Sequence, residues 1–188
     1  MKKIINNEFF CKIINLIFKI FRINKIKKKK GNILKIENAI AYKFLVDIYG
    51  RKNEIFIKNN CRLKNTSIII KGNNNKVIIK DNARINYTTI CCEGDNNIVI
   101  IEEDVLIFGK TEIDALEGTS VTIGKKNLFS SNIIIRTGDS HSVIDLSTNN
   151  RINYSESIKI GNNVKIGSTS TILCNVEDNK TVVGIYKK

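Results

Sequence analysis

Short runs of apolar residues alternate with polar turns along most of the chain. The runs are three or four residues long and rich in isoleucine, as in Ile68-Ile69-Ile70, Val77-Ile78-Ile79 and Ile98-Val99-Ile100-Ile101. Because β-branched residues suit a pleated, half-buried surface, such runs favour strands. The pattern therefore predicts a chain built mainly from short strands that are joined by turns.

These runs recur at a constant step of 22 residues. Four segments with apolar first and seventh positions and a smaller fifth position begin at Ile57, Ile79, Ile101 and Ile123. A glycine that opens an Asn-rich turn precedes the first three segments, and these glycines are Gly50, Gly72 and Gly94. A repeated corner and short strands of fixed length predict a solenoid whose coils stack and bury their isoleucine rows. We expect the asparagines at the corners to form hydrogen-bonded ladders between coils.

The step changes near the C-terminal end of the sequence. Isoleucines recur there every six residues, at Ile160, Ile166 and Ile172, and each is followed after four residues by Val164, Ser170 and Val176. Such hexads suit a triangular coil, with the aliphatic residue inside a flat side and the smaller one at a corner. Three hexads, or eighteen residues, would then complete one turn. The 22-residue step is equally compatible with a right-handed β-helix that binds or cleaves polysaccharide.

A polar stretch interrupts the repeat between Ile123 and Ile160. These two residues are 37 apart, fifteen more than one repeat, so we expect an excursion from the coil. The stretch contains His141, the single histidine of the chain. An imidazole takes up a proton near neutral pH, so His141 is a candidate general base, with a structural histidine as the alternative. Asp139 and Asp145 would either orient the ring or cap the loop backbone.

The same region carries a resemblance to a known family. It reads Asn132-Ile-Ile-Ile-Arg-Thr-Gly-Asp-Ser-His-Ser-Val-Ile-Asp145, then Arg151-Ile-Asn153, then Ile158-Lys-Ile-Gly-Asn-Asn-Val-Lys-Ile-Gly167. These segments resemble the hexapeptide-repeat acyltransferases, and within them the capsule and lipopolysaccharide O-acetyltransferase branch. The resemblance implies a left-handed parallel β-helix and a homotrimer with active sites between neighbouring subunits. It also implies acetyl-CoA as donor, a sugar hydroxyl of a surface polysaccharide precursor as acceptor, and no metal.

The resemblance extends to individual residues. His141 would be the catalytic base, with Asp139 and Asp145 beside it. The acceptor would be bound by Arg136, Ser140, Arg151 and Asn153, although each arginine would otherwise pair with a nearby carboxylate. The pantetheine arm of the donor would pass Lys165, Gly167, Ser168 and Ser170.

Two features depart from the pattern of the family. Lys165 stands where these relatives usually have tryptophan, and the chain ends soon after Asp178 to Gly184, where relatives continue through further hexads. The alternative prediction is therefore a truncated β-helix that serves as a structural or oligomerisation partner and does not hold coenzyme A.

The N-terminal segment differs from the rest of the chain, and we predict a leader over residues 1–35 and a β-helix domain over residues 36–188. Spacings of three and four gather apolar residues on one broad face of a helix: Phe9, Phe10, Ile13, Ile14, Ile17, Phe18, Ile20 and Phe21. Basic residues interrupt this stretch, so it resembles neither a secretory signal nor a membrane span. Two compatible interpretations remain. The helix caps the end of the domain, or residues 1–30 contact the anionic inner face of the membrane.

Charge and cysteine content refine this picture. The formal charge is +13, and residues 1–35 hold eleven basic residues and one acid, which leaves only +3 for the remaining 153 residues. The charge therefore belongs to the leader, and we do not expect a nucleic acid partner. Five cysteines without a Cys-x-x-Cys pair predict neither a zinc site nor a disulfide framework. We predict reduced thiols in a cytoplasmic protein, peripheral to the membrane at most.

Overall fold

The computed structural model describes residues 8–139 and 141–187. One helix, α1 (Glu8–Ile20), precedes a long series of short strands. The strands are β1 (Lys25–Lys28), β2 (Ile33–Ile36), β3 (Ile40–Tyr42), β4 (Leu45–Tyr49), β5 (Glu54–Ile57), β6 (Arg62–Lys64), β7 (Ser67–Lys71), β8 (Lys76–Ile79), β9 (Arg84–Asn86), β10 (Thr88–Glu93), β11 (Ile98–Ile101), β12 (Leu106–Ile107), β13 (Thr111–Leu116), β14 (Ser120–Ile123), β15 (Leu128–Phe129), β16 (Ile133–Arg136), β17 (Ile144–Asp145), β18 (Asn150–Arg151), β19 (Ile158–Ile160), β20 (Lys165–Ile166), β21 (Thr171–Ile172), β22 (Thr181–Val182) and β23 (Ile185–Tyr186).

Three parallel sheets form the sides of a triangular solenoid. Sheet 1 has the order β1-β4-β7-β10-β13-β16-β21-β23, sheet 2 the order β19-β14-β11-β8-β5-β2, and sheet 3 the order β22-β20-β15-β12-β9-β6-β3. Successive strands of the coils pass from sheet 1 to sheet 2 to sheet 3, so each turn before the last adds one strand to each side, and the last turn adds only a bridge at Val176 to sheet 2. Only β17 and β18, among the described strands, pair antiparallel in a sheet of their own. The prediction of an all-β solenoid is confirmed.

The repeat found in the sequence is the register of sheet 2. Ile57 pairs with Ile79, Ile79 with Ile101, and Ile101 with Ile123. All four side chains are fully buried, because alternate residues of each strand point into the triangle. Burying one such side chain contributes roughly 1.5–3 kcal/mol, so the stacked isoleucine column is a main source of stability.

The corner between sheets 1 and 2 is held by an asparagine ladder. The buried Asn75 side chain accepts from the backbone N–H of Asn97 at 2.8 Å and donates to the carbonyl oxygen of Gly94 at 2.9 Å. Asn53 repeats this arrangement one coil earlier. Gly72 has a φ of +142°, and a Cβ there would lie 2.0 Å from the carbonyl oxygen of Gly94. Only glycine fits this corner, so the predicted ladder and tight turns are confirmed.

Helix α1 caps the first coil. The Asn15 side chain donates to the carbonyl oxygen of Ala39 at 2.7 Å and accepts from the N–H of Ala41 at 3.1 Å, which satisfies the open edge of sheet 3. The ring of Phe18 packs edge-on against Tyr42 at 5.3 Å between centroids. The coil itself begins at Lys25, inside the segment that the sequence assigned to the leader.

The last coil is shorter than the hexads predicted. Ile160 bridges to Val176 and Ile166 pairs with Val182, in both cases sixteen residues apart. Ile172 pairs with Tyr186, fourteen residues apart. The expected turn of eighteen residues is therefore wrong for this coil. Val176, expected at a corner, instead lies in line with the strand that contains Ile160.

Candidate active site

The predicted excursion is an insert over residues 137–157 that leaves the solenoid between β16 and β19. It occupies the corner between sheets 1 and 2, where earlier coils have a short glycine turn. The two ends of the insert meet, because the N–H of Glu156 donates to the carbonyl oxygen of Thr137 at 2.7 Å. Gly138 lies so close to Ser155 that a Cβ at this position would be 2.2 Å from the Ser155 hydroxyl. The insert therefore leaves and rejoins the coil at one point.

A buried hydroxyl network fixes the start of the insert. The Thr137 hydroxyl accepts from the N–H of Leu116 at 3.0 Å and lies 2.8 Å from the hydroxyl of Thr119. Thr119 in turn donates to the carbonyl oxygen of Leu116 at 2.7 Å. These bonds join the insert to the corner of the preceding coil.

The candidate base lies in the exposed part of the insert, next to Asn153. The Asn153 side chain donates to the carbonyl oxygen of His141 at 2.7 Å and accepts from the N–H of Val143 at 2.6 Å. The Asp139 carboxylate lies 3.5 Å from the same Asn153 nitrogen. His141 and Asp139 are both exposed, so the imidazole is open to a substrate. Ser140, which the sequence also predicted to bind the acceptor, lies outside the described residues.

Asp145 lies in the hairpin of β17 and β18. Its carboxylate accepts from the Ser147 N–H at 2.8 Å and from the Ser147 hydroxyl at 2.6 Å. These two bonds hold the pKa of Asp145 below its ordinary value, chiefly through the hydroxyl. Of the two roles that the sequence left open, the structure has Asp145 in the loop-capping one.

An ion pair anchors the insert to the coil below it. Both terminal nitrogens of Arg151 reach the Glu117 carboxylate, at 2.7 Å and 3.0 Å, and the Ser155 hydroxyl donates to the same carboxylate at 2.8 Å. The Arg151 guanidinium and then Ser155 lower the pKa of Glu117. Arg151 also donates to the carbonyl oxygen of Asn153 at 2.9 Å. The chain of contacts from Glu117 through Arg151 and Asn153 to His141 fixes where the histidine lies.

Sequence reasoning missed Glu117. It precedes Gly118 at a corner of the coil and lies 34 residues before its partner Arg151. No local motif joins two residues so far apart in sequence. The one available signal was that Glu117 takes the corner position that glycine occupies in the earlier coils, as at Gly72 and Gly94, and it does so with a φ of +56°.

Arg136, at the end of β16, has a carboxylate partner of its own. Its Nε and one terminal nitrogen contact the same oxygen of Asp114, at 2.9 Å and 2.7 Å. Burial raises the pKa of Asp114, while the Arg136 guanidinium opposes this effect. Both candidate acceptor-binding arginines thus have the local carboxylate partners that the sequence had left as the alternative.

Three of the candidate donor contacts, Gly167, Ser168 and Ser170, lie at the corner between sheets 3 and 1, and Lys165 lies on β20 just before it. Lys165 and Ser168 are exposed, and the Ser168 hydroxyl lies 2.6 Å from that of Ser130. Ser170 is 1% exposed, and its hydroxyl donates to the carbonyl oxygen of Gly167 at 2.7 Å. Lys165 and Ser168 can therefore offer side chains to a ligand, whereas the Ser170 hydroxyl is used inside the coil.

A groove of about 300 Å³ starts at this corner and runs over the outer face of sheet 1. Its lining residues include Lys110, Asn132 and Thr169 at the corner, and Glu112, Ile134 and Thr171 on the strands. His141 follows β16 at the opposite end of this sheet. At about 3.3 Å per residue, one side of the coil separates the two candidate regions by roughly 15 Å.

The buried cysteines of the coils are poorly suited to carry an acyl group. All five are free, and Cys61 and Cys92 are buried. Burial raises the pKa of each of these two thiols to about 12, and it also raises the pKa of the half-buried Cys91. Since the thiolate is the nucleophile, these groups are unreactive near neutral pH. Within residues 8–139 and 141–187, no cluster of three or more His, Cys, Asp and Glu side chains is placed to hold a metal ion.

Comparison with known proteins identifies the family. No family model matches the sequence. Over 126 residues the chain is 32% identical to the polysialic acid O-acetyltransferase of Neisseria meningitidis. This alignment covers 67% of this chain and 58% of that protein. The chain thus spans less than two thirds of the length of this curated relative.

Solved structures agree in fold. The crystal structure of the polysialic acid O-acetyltransferase OatWY aligns with a TM-score of 0.69 at 25% identity, covering 88% of this chain and 78% of that chain. The polySia-specific acetyltransferase NeuO aligns with a TM-score of 0.50 at 27% identity, covering 75% of this chain and 82% of that chain. By sequence and by fold, the chain belongs to the hexapeptide-repeat, left-handed β-helix acyltransferases, in the branch of the capsule O-acetyltransferases.

Proposed function

We propose that the protein is an O-acetyltransferase that moves the acetyl group of acetyl-CoA to a sugar hydroxyl of a surface polysaccharide precursor. The observation that carries this proposal is the position of His141, the single histidine, on an exposed insert anchored to an otherwise regular coil. Polysialic acid is the first acceptor to test, because the relatives named above act on it.

His141 acts as the general base. It takes the proton of the attacking hydroxyl as the hydroxyl oxygen bonds to the acyl carbon, and it returns that proton to the sulfur of coenzyme A as the carbon–sulfur bond breaks. No covalent acyl-enzyme is needed, which agrees with the raised pKa of the buried thiols. Catalysis then depends on base strength and on holding two substrates beside one imidazole.

The anchor supplies that positioning. Glu117 holds Arg151, Arg151 holds the backbone of Asn153, and the Asn153 side chain holds the backbone of His141. Asp139 lies beside Asn153 and supports the imidazolium once it forms. Arg136 remains half exposed beside Asp114 and is available to an acidic acceptor.

The donor binds at the corner that carries Gly167 and Ser168, with Lys165 of the preceding strand β20 near its phosphates. This corner and His141 lie at opposite ends of sheet 1, so we infer that a neighbouring subunit of a homotrimer brings one subunit's corner to the other's histidine. Free thiols and an acetyl-CoA donor are consistent with a cytoplasmic location.

Acetyl transfer to defined polymers tests the proposal. The purified chain is incubated with acetyl-CoA and either polysialic acid or a neutral polysaccharide, and both free thiol and acetylated sugar are measured. We expect release of coenzyme A that depends on polysialic acid, together with O-acetyl groups on the polymer. If calorimetry detects no coenzyme A binding and no acceptor is modified, the alternative of a structural β-helix or oligomerisation partner is the better description.

Mixed subunits test the site between subunits. His141→Ala and Gly167→Val chains are each expected to be inactive, the second because its side chain would clash with Val183 and obstruct the donor corner. When the two are unfolded and refolded together, hybrid trimers would hold one intact site and recover activity. Absence of recovery, with trimers present by light scattering, would place the whole site within one subunit.

A further inference from the structure

Helix α1 has two apolar faces, of which only one is used by the fold. Cys11, Ile14, Asn15 and Phe18 face the first coil and are buried or half-buried. Seven large apolar residues of the helix and the turn after it remain exposed: Phe9, Phe10, Ile13, Leu16, Ile17, Ile20 and Phe21. Leu16 is 55% and Ile20 66% exposed. A cap needs only the inner face, so capping does not explain the outer one.

Basic residues border this outer face. All four residues of β1 are exposed, and they are followed by the exposed Lys29 and Lys30. Strand β1 lies next to the helix, because Leu16 and Ile26 line the same groove of about 270 Å³, together with Lys12. Apolar side chains and ammonium groups thus share one end of the solenoid.

Most of the cations that follow the helix form no ion pair with the part of the chain that the structure describes. Among residues 8–139 and 141–187, no ion pair includes Arg22, Lys25, Lys27, Lys29 or Lys30. Carboxylates elsewhere do pair, as Glu37 does with Lys35 and Lys58. This end of the molecule is therefore apolar and cationic at once.

We infer that the outer face of α1, with β1 beside it, docks the protein on an anionic lipid bilayer. A helix that presents an apolar face at the interface and cations to the headgroups binds in the plane of the membrane. Both features occur here on one surface, whereas a second copy of this chain would bring the same positive charges together. No helix of the described chain is long and apolar enough to cross a bilayer, so the contact is peripheral.

Vesicle flotation tests this inference, independently of any acetyl transfer. The probes are vesicles of phosphatidylcholine alone and vesicles in which about a third of the lipid is phosphatidylglycerol. We expect flotation only with the anionic vesicles and weaker binding at high salt. The double variant Leu16→Glu/Ile20→Glu should not float, and Lys27→Gln and Lys29→Gln should each lower the partition coefficient about fivefold.

Phe108→Glu is the matched control, because Phe108 is 57% exposed directly after β12 and distant from the helix in sequence. It should float like the wild type. Circular dichroism checks that the helix variants keep their fold, which is expected because the substituted side chains point outward. Equal flotation with neutral vesicles, or no flotation at all, would overturn the inference. So would a helix variant that changes only the oligomeric state, since the face would then be a contact between copies.

Discussion

The regular coils and the insert over residues 137–157 are stabilised in opposite ways. In the central coils, strand residues pair with equivalent residues 22 positions away, as Val77 does with Val99, and buried asparagines satisfy the backbone at the corners. The insert pairs only with itself in the short hairpin of β17 and β18, and it is tied to the coil mainly by Glu117, Arg151 and Thr137. Its hairpin is open to solvent, with Leu146 96% exposed.

This difference indicates that the coils provide most of the stability of the fold and that the insert provides the catalytic base. The backbone of a coil residue is used by the coils above and below it, so its hydrogen-bonding groups are not available to an attacking hydroxyl. The insert interrupts the repeat and holds the single histidine in a polar, exposed segment. We therefore expect changes in the coils to lower stability and changes in the insert to lower activity.

Removal of the insert should produce the largest effect on activity. Residues 137–156 are replaced by the six residues 92–97, which make the equivalent corner two coils earlier. Loss of a general base alone lowers rates by about 100-fold to 10,000-fold, so acetyl transfer should fall by at least that much. Thermal unfolding followed by circular dichroism should still show a cooperative transition. Retention of transfer would mean that the coils carry the chemistry.

Disruption of the asparagine ladder should produce the largest effect on stability. Asn75→Ala removes bonds to Asn53, Gly94 and Asn97 and leaves buried backbone groups unpaired. An unsatisfied buried group costs about 1–3 kcal/mol, so we expect a loss on the order of 3 kcal/mol in the free energy of unfolding. Asn86→Ala is the control, since its side chain points outward from sheet 3. Equal losses in denaturant titrations of the two variants would contradict the role of the ladder.

Removal of the anchor should have a moderate effect, confined to activity. Glu117→Gln weakens the contact with both nitrogens of Arg151, and kcat should fall roughly tenfold to 100-fold, because a small misplacement of a catalytic group is costly. The reciprocal double variant Glu117→Arg/Arg151→Glu should recover part of that loss. Thermal unfolding should change little in either variant. Normal kcat in Glu117→Gln would show that the anchor does not position His141.

Acid should loosen the insert before the coils, which is the smallest effect expected. The pKa of Glu117 is lowered in the folded protein, so its ion pair contributes stability above the ordinary pKa of glutamate, and that contribution is lost as pH falls through the lowered value. Hydrogen exchange, corrected for intrinsic rates, should show reduced protection of residues 141–154 as the pH falls below the ordinary pKa of glutamate. In Glu117→Gln this protection should already be low at neutral pH. Loss of protection in the coils at the same pH would contradict the prediction that the insert opens independently of the coils.

The sequence predicts the coils well because each coil repeats the same physical requirement. The column through Ile57, Ile79, Ile101 and Ile123 is legible as a 22-residue step, and it is the observed register. Gly72 and Asn75 are legible as corner residues for the same reason. The shortened last coil was mispredicted, because a hexad pattern records side-chain type and not the number of residues that a corner omits.

The sequence predicts the candidate active site only in part. His141 stands out because it is unique and interrupts the repeat. The residues that hold His141 in place cannot be recognised in the sequence, because Glu117 and Arg151 meet through the stacking of coils and are far apart in sequence. The role of Asp145 also depended on the fold, since only the hairpin brings Ser147 to its carboxylate.

The substitution His141→Ala tests the central claim most directly. Its side chain is exposed, so the protein should fold with an unchanged unfolding temperature. The measurement is the rate of acetyl transfer from acetyl-CoA to polysialic acid by wild type and variant, alongside the affinity of each for coenzyme A. We predict a loss of at least about 100-fold in rate with unchanged coenzyme A affinity. A wild type that transfers acetyl groups and a variant that matches it would contradict the account.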